Sequence, residues 1–73
     1  MIDYDVKQIF AERLKLLIEE KNLSVKQFAE KIGIADSTIS DWLLLKTVPS
    51  ILNIPKIALF FGVSTDYLLG LEN

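Results

Sequence analysis

Residues 24–44 read Ser-Val-Lys-Gln-Phe-Ala-Glu-Lys-Ile-Gly-Ile-Ala-Asp-Ser-Thr-Ile-Ser-Asp-Trp-Leu-Leu. The pattern predicts two short helices joined by a tight turn. Ser24 is placed to N-cap the first, and Gln27, three residues on, completes a capping box. Phe28, Ala29 and Ile32 share one helical face. Gly33 is the stop, because a helix ending on a left-handed residue favours glycine. Ile34 is an apolar plug in the turn. Ile39, Trp42 and Leu43 then mark the inward face of the second helix, leaving Asp36, Ser37, Ser40, Asp41 and Leu44 on the opposite side. The small Ala29 lets two helix backbones cross closely at a sharp angle.

The rest of the chain reads as helices around this pair. Asp5 is an N-cap with Gln8 at the matching third position, and a first helix follows over about residues 6–21. Ile9, Phe10, Leu14, Leu17 and Ile18 face inward; Lys7, Glu12, Lys15, Glu19 and Glu20 form a solvated stripe. Asn22 suits the left-handed position after the helix. Asp3 and Asp5 lack the glycine loop and further oxygen ligands of a calcium site and read as solvated caps. Beyond Leu44, Pro49 stops regular structure and Ser50 starts a turn. Asn53 is the expected N-cap of a helix over about 53–61, with Pro55 in its first turn, where a missing N–H is harmless. Gly62 ends that helix. Ser64 caps a last helix over about 65–69, closed by Gly70, and the tail 71–73 is expected to fray. The expected fold is all-α: a compact bundle of about five helices in one domain over residues 1–73, with no strand or repeat.

Composition narrows the chemistry. In a chain of 73 residues, folding hides only ~60% of the unfolded surface, so the core must be efficient. The 51% hydrophobic content provides for that without cross-links. There is no cysteine and no histidine. Disulfides and a Cys/His zinc site are therefore excluded, and Ser37 and Ser40 have no histidine base to activate them. The three glycines are isolated, so no phosphate-binding loop exists. No catalytic residue, metal or cofactor is expected, and an enzyme is not. The longest apolar run, residues 57–61, falls far short of a membrane span, and a cytoplasmic location is expected. Net charge is −2. Any contact with a polyanion must then come from the local field over one face.

A helix pair with a glycine turn is the helix-turn-helix unit, and here a family resemblance enters. Leu23-Ser24, Phe28-Ala29-Glu30-Lys31, Gly33-Ile34 and Ser37-Thr38-Ile39-Ser40-Asp41-Trp42 carry it first. Pro49-Ser50, Ile57-Ala58, Phe61-Gly62-Val63-Ser64 and Tyr67-Leu68-Leu69-Gly70 extend it. In order and spacing, from Arg13 to Gly70, they resemble the phage repressor and Cro-like (Xre-type) helix-turn-helix domains. The resemblance implies a lambda-repressor-like fold and a sequence-specific, DNA-binding transcriptional regulator of bacterial or prophage type. Such domains lay the second helix of the pair in the major groove. By position it assigns base contacts to Asp36, Ser37, Ser40 and Asp41 on a recognition helix over about 36–44. It assigns phosphate contacts to Ser24, Lys26, Lys46 and Thr47. Serine hydroxyls meet several base edges, and aspartate accepts from cytosine N4. One recognition helix reads only a few base pairs, so a palindromic double-stranded operator and a homodimer are expected. The apolar surplus of the C-terminal half, Ile51, Leu52, Ile54, Phe60, Phe61, Leu69 and Leu71, is the expected dimer surface.

The chain departs from the family pattern on the DNA side. Val25 stands where the family usually has glutamine. Asp36 replaces a neutral or basic residue. Leu43-Leu44-Leu45-Lys46 replaces Glu-Asn-Gly-Lys. These departures keep open a protein-interaction module, antitoxin or phage switch protein on the same fold, with a partner at Leu44, Leu45, Val48 and Ile51. The competing reading folds those leucines inward. Ile18 and Leu43 occupy positions where the family often carries an Arg–Glu ion pair, and they are expected to touch and be mostly buried.

Overall fold

The computed structural model describes residues 5–72, so the readings of Asp3 and Asn73 lie outside the described residues. Five helices follow one another: α1 Val6–Glu20, α2 Val25–Ile32, α3 Asp36–Leu43, α4 Asn53–Phe61 and α5 Thr65–Leu69. No strand occurs among the described residues. Helix α3 packs against both α1 and α2, α4 against α2 and α5, and α5 returns to α1.

The core is where these helices meet. Phe10, Leu14, Leu17 and Ile18 of α1 join Phe28, Ala29 and Ile32 of α2, Ile39 and Trp42 of α3, Ile57 and Ala58 of α4, and Leu68 of α5. Burying a large apolar side chain contributes about 1.5–3 kcal/mol, so this cluster drives the fold. Phe28 is fully buried at its centre. Its ring stacks on Phe61 at 5.2 Å between centroids and meets Phe60 edge-on at 5.3 Å. Phe10 and Trp42 form a second edge-to-face pair at 6.2 Å, tying α1 to α3. The buried stripe of α1 differs from the expected one by an exchange: Ala11 is buried, whereas Ile9 at the edge of the stripe is half-buried. Ile18 is buried, and Leu43 is half-buried against the cluster that contains it.

All five helices close in the same way. An N–H two or three residues past the helix returns to the carbonyl five residues earlier: Leu23 to Ile18, Ile34 to Ala29, Lys46 to Asp41, Val63 to Ala58 and Leu71 to Asp66. Each closure needs one residue with positive φ. Gly33, Gly62 and Gly70 supply three of them; Asn22 at φ 56° and Leu45 at φ 65° supply the others. Helix α1 therefore ends at Glu20 and α3 at Leu43, each one residue short of its expected end, because the next residue already belongs to the closure.

Two expectations are corrected. Asn53 is not the N-cap of α4 but its first residue, because its N–H bonds to the Ser50 carbonyl at 3.0 Å and a turn runs straight into the helix. Pro55 then sits third, still in the first turn, where a backbone nitrogen has no intrahelical acceptor and the missing N–H is harmless. The tail is tied down as far as Glu72 rather than frayed. Leu71 donates to the Asp66 carbonyl, Arg13 donates to the Glu72 carbonyl, and the Ser64 hydroxyl donates to the Glu72 carboxylate.

Candidate nucleic-acid interface

Helices α2 and α3 and the turn between them form the most sharply specified part of the chain. The capping box at the start of α2 is complete: Gln27 N–H donates to Ser24 Oγ at 3.0 Å, and Ser24 N–H donates to Gln27 Oε1 at 2.9 Å. At the other end, Gly33 turns the chain at φ 76°. A methyl group on Gly33 would meet nothing within 4 Å, so its requirement is conformational rather than steric. Ile34 is half-buried against the core and anchors the turn. Helix α3 begins at Asp36 without any side-chain cap.

The core-facing side of α3 is set by Ile39, which is fully buried, and Trp42. At 3.6 residues per turn the opposite side carries Ser37, Asp41 and Leu44, with Asp36 and Ser40 flanking. Asp36 and Ser37 are exposed, Ser40 and Asp41 half-buried, and Leu44 is 64% exposed. Thr38 is a further exposed hydroxyl on α3 that the sequence list omits. It lies off the Ser37–Asp41 stripe, and only its exposure identifies it.

The four candidate phosphate-binding residues are all exposed. Ser24 has its backbone N–H engaged by Gln27, leaving the hydroxyl proton as its free donor. Lys26 and Asp36 border one shallow depression of about 360 Å³ at the turn, together with Glu30, Gly33, Ile34 and Ala35. Lys46 and Thr47 follow α3 instead, and both of their backbone N–H groups point back to the Asp41 carbonyl. Six of the eight candidates thus lie on α3 or in the four residues after it, and Lys26, at the start of α2, borders the same depression as Asp36; Ser24 stays with Gln27 at the N-terminus of α2.

The apolar departures are also resolved in place. Leu44, Leu45, Val48 and Ile51 are all exposed, so the inward-folding alternative is not realised. Val48 and Ile51 line an apolar groove of about 560 Å³ with Phe10, Pro49, Ile54 and Leu69, whereas Leu44 and Leu45 do not border it. Among the expected dimer residues, Ile51, Leu52 and Leu71 are exposed, while Ile54, Phe60 and Phe61 pack on the core. Leu59, absent from that list, is 83% exposed. No helix among the described residues is long and apolar enough to cross a membrane.

Known proteins share this arrangement. The helix-turn-helix domain family matches residues 11–73. A helix-turn-helix-type transcriptional regulator of Bacillus subtilis is 35% identical over 65 residues, which are 89% of this chain and 58% of that protein. A regulator of the same type from Haemophilus influenzae is 36% identical over 67 residues, 92% of this chain and 28% of its own length. The chain thus spans little more than half of one curated relative and under a third of the other. Among solved structures, a hypothetical transcription factor from Neisseria superposes with a TM-score of 0.82 at 25% identity, covering 89% of this chain and 75% of that one. With its five helices, its glycine turn and the match over residues 11–73, the chain belongs to the helix-turn-helix domain family.

Proposed function

We propose that this chain is a sequence-specific DNA-binding domain of the Cro/C1-repressor type that lays α3 in the major groove of its operator. The observation that supports the reading is the outward side of α3. Ser37, Asp36 and Thr38 stand free on a helix whose other side is locked by Ile39 and Trp42. Ser37, Ser40, Asp36 and Asp41 then meet base edges. Lys26 and Lys46, with the hydroxyls of Ser24 and Thr47, hold phosphates on either side. Only two of these eight residues are cations, so affinity falls on a few contacts and depends on salt. The test is an unbiased duplex selection with the purified chain at low and at physiological salt. Enrichment of one motif is expected; recovery of random sequence at both salts refutes the reading.

A palindromic operator and a homodimer complete the proposal. The exposed Ile51, Leu52 and Leu59 support a self-pairing surface in the C-terminal half. Sedimentation should show a dimer on a two-half-site duplex, and a strict monomer both free and on that duplex rejects this part. The groove beside Val48 and Ile51 favours one second reading, an interaction module that seats a partner protein there. That reading predicts no DNA selection at all.

A further inference from the structure

We propose that the apolar groove between the start of α1 and the α3–α4 connection binds a medium-chain fatty acid, whose carboxylate pairs with Lys7. The inference does not rest on the DNA-binding reading. The groove encloses about 560 Å³, within the roughly 300–1,000 Å³ of small-ligand sites. Phe10 of α1, Ile54 of α4 and Leu69 of α5 line it, together with Val48, Pro49 and Ile51 of the connection. Ile51 is 84% exposed and Val48 57%. Water therefore covers apolar surface that an apolar occupant would take out of it.

Depth and charge select the occupant. Phe10 lines the groove yet is only 4% exposed, so the space narrows toward it. A slim alkyl chain reaches that depth, whereas a broad helix face does not. Among the described residues Lys7 is the only charged group that lines the groove, and Thr65 the only other polar one. Asp5, next to Val6, is turned to the Gln8 N–H at 3.2 Å instead. A chain of net charge −2 thus presents a lone cation at this groove. A carboxylate is attracted there and a cationic head group is repelled. Lys7 is exposed, so the ion pair sets the sign of the head group while the alkyl chain supplies most of the affinity.

The experiment titrates the full chain at neutral pH with decanoate, octanoate, decanol and decyltrimethylammonium. Methyl NMR shifts follow the site, and Trp42 emission follows occupancy, since Phe10 meets Trp42 edge-on at 6.2 Å. Decanoate should saturate one site and shift Val48, Ile51, Ile54 and Leu69 together. Octanoate should bind about fifteenfold more weakly, at about fourfold for each lost methylene. Lys7→Ala should weaken decanoate by up to about fivefold and leave decanol unchanged. Lys7→Glu should favour decyltrimethylammonium over decanoate, and thermal unfolding should be unchanged in both variants. Absence of saturation, or shifts outside the groove, overturns the proposal. Equal affinity of the wild-type chain for anion and cation does the same, as does undiminished decanoate affinity in Lys7→Glu. NOEs to Ile51 in the free chain from a second copy, or from residues 1–4, would show the groove filled by protein and overturn it as well.

Discussion

The guanidinium of Arg13 lies 4.5 Å from the centroid of the Tyr67 ring and donates through Nη1 to the Tyr67 backbone carbonyl. The same nitrogen donates to the Glu72 carbonyl, so one α1 side chain fastens both α5 and the residues after it. Lysine keeps the charge but loses the planar fork that stacks and bonds together. Arg13→Lys should cost about 1 kcal/mol and Arg13→Ala about 2 kcal/mol, the sum expected for a stacked cation and a charged hydrogen bond in a half-buried site. Urea unfolding measures this. Faster amide exchange at Leu68 than at Leu14 in Arg13→Ala would locate the loss in α5, and unchanged midpoints would rule the anchor out.

Leu43 carries a second stability prediction. It is half-buried against the cluster that includes Ile18, with no charged partner beside it in that cluster. Leu43→Glu should therefore destabilise by about 2–3 kcal/mol, somewhat below the cost of a fully buried unpaired charge. Adding Ile18→Arg should recover part of the loss, because a paired charge is far cheaper than a lone one. A double variant no more stable than Leu43→Glu alone would show that the two positions do not face each other.

What the sequence made legible here was local. Ser24 with Gln27, Ser64 and Asp5 cap over three residues, and Asn22 and Gly33 stop helices by their own backbone preferences. Features decided at long range were not legible. Arg13 meets Tyr67 across 54 residues, and nothing near Arg13 announces it. Helix α4, Asn-Ile-Pro-Lys-Ile-Ala-Leu-Phe-Phe, is apolar almost all round, so periodicity alone did not show that Phe60 and Phe61, expected at a dimer surface, pack on the core while Leu59 points out. On the candidate interface the outward residues of α3 follow from Ile39 and Trp42 facing in, but the half-burial of Ser40 and Asp41 depends on neighbouring elements.

Leu45 holds a conformation that three of the other four helix closures assign to glycine. A left-handed backbone costs a non-glycine residue about 1–2 kcal/mol, and the greater freedom of glycine in the unfolded chain returns about half of that. Leu45→Gly should stabilise by about 0.5–1 kcal/mol. Gly33→Ala is the converse. Its added methyl group meets open space, yet at φ 76° it should cost about 1 kcal/mol. A stability loss in Leu45→Gly would mean that the side chain contributes more packing than its 41% exposure indicates.

The last prediction turns on charge. Lys26 and Lys46 are the two cations of the proposed interface, and each neutralised phosphate adds about −0.9 to the slope of log affinity against log salt. Lys26→Ala should lower that slope by about one and weaken all sequences nearly equally. Asp36 and Asp41 act in the opposite sense on random DNA, since each brings negative charge toward the phosphates. Asp36→Asn with Asp41→Asn should raise affinity for random duplex. It should also reduce discrimination at the bases these residues meet, by about 1–3 kcal/mol where an aspartate had accepted a hydrogen bond from cytosine. Fluorescence anisotropy against selected and random duplexes at two salt concentrations reads both effects. If neither protein binds any duplex at the lower salt, α3 is not a recognition helix, and its polar face serves another partner.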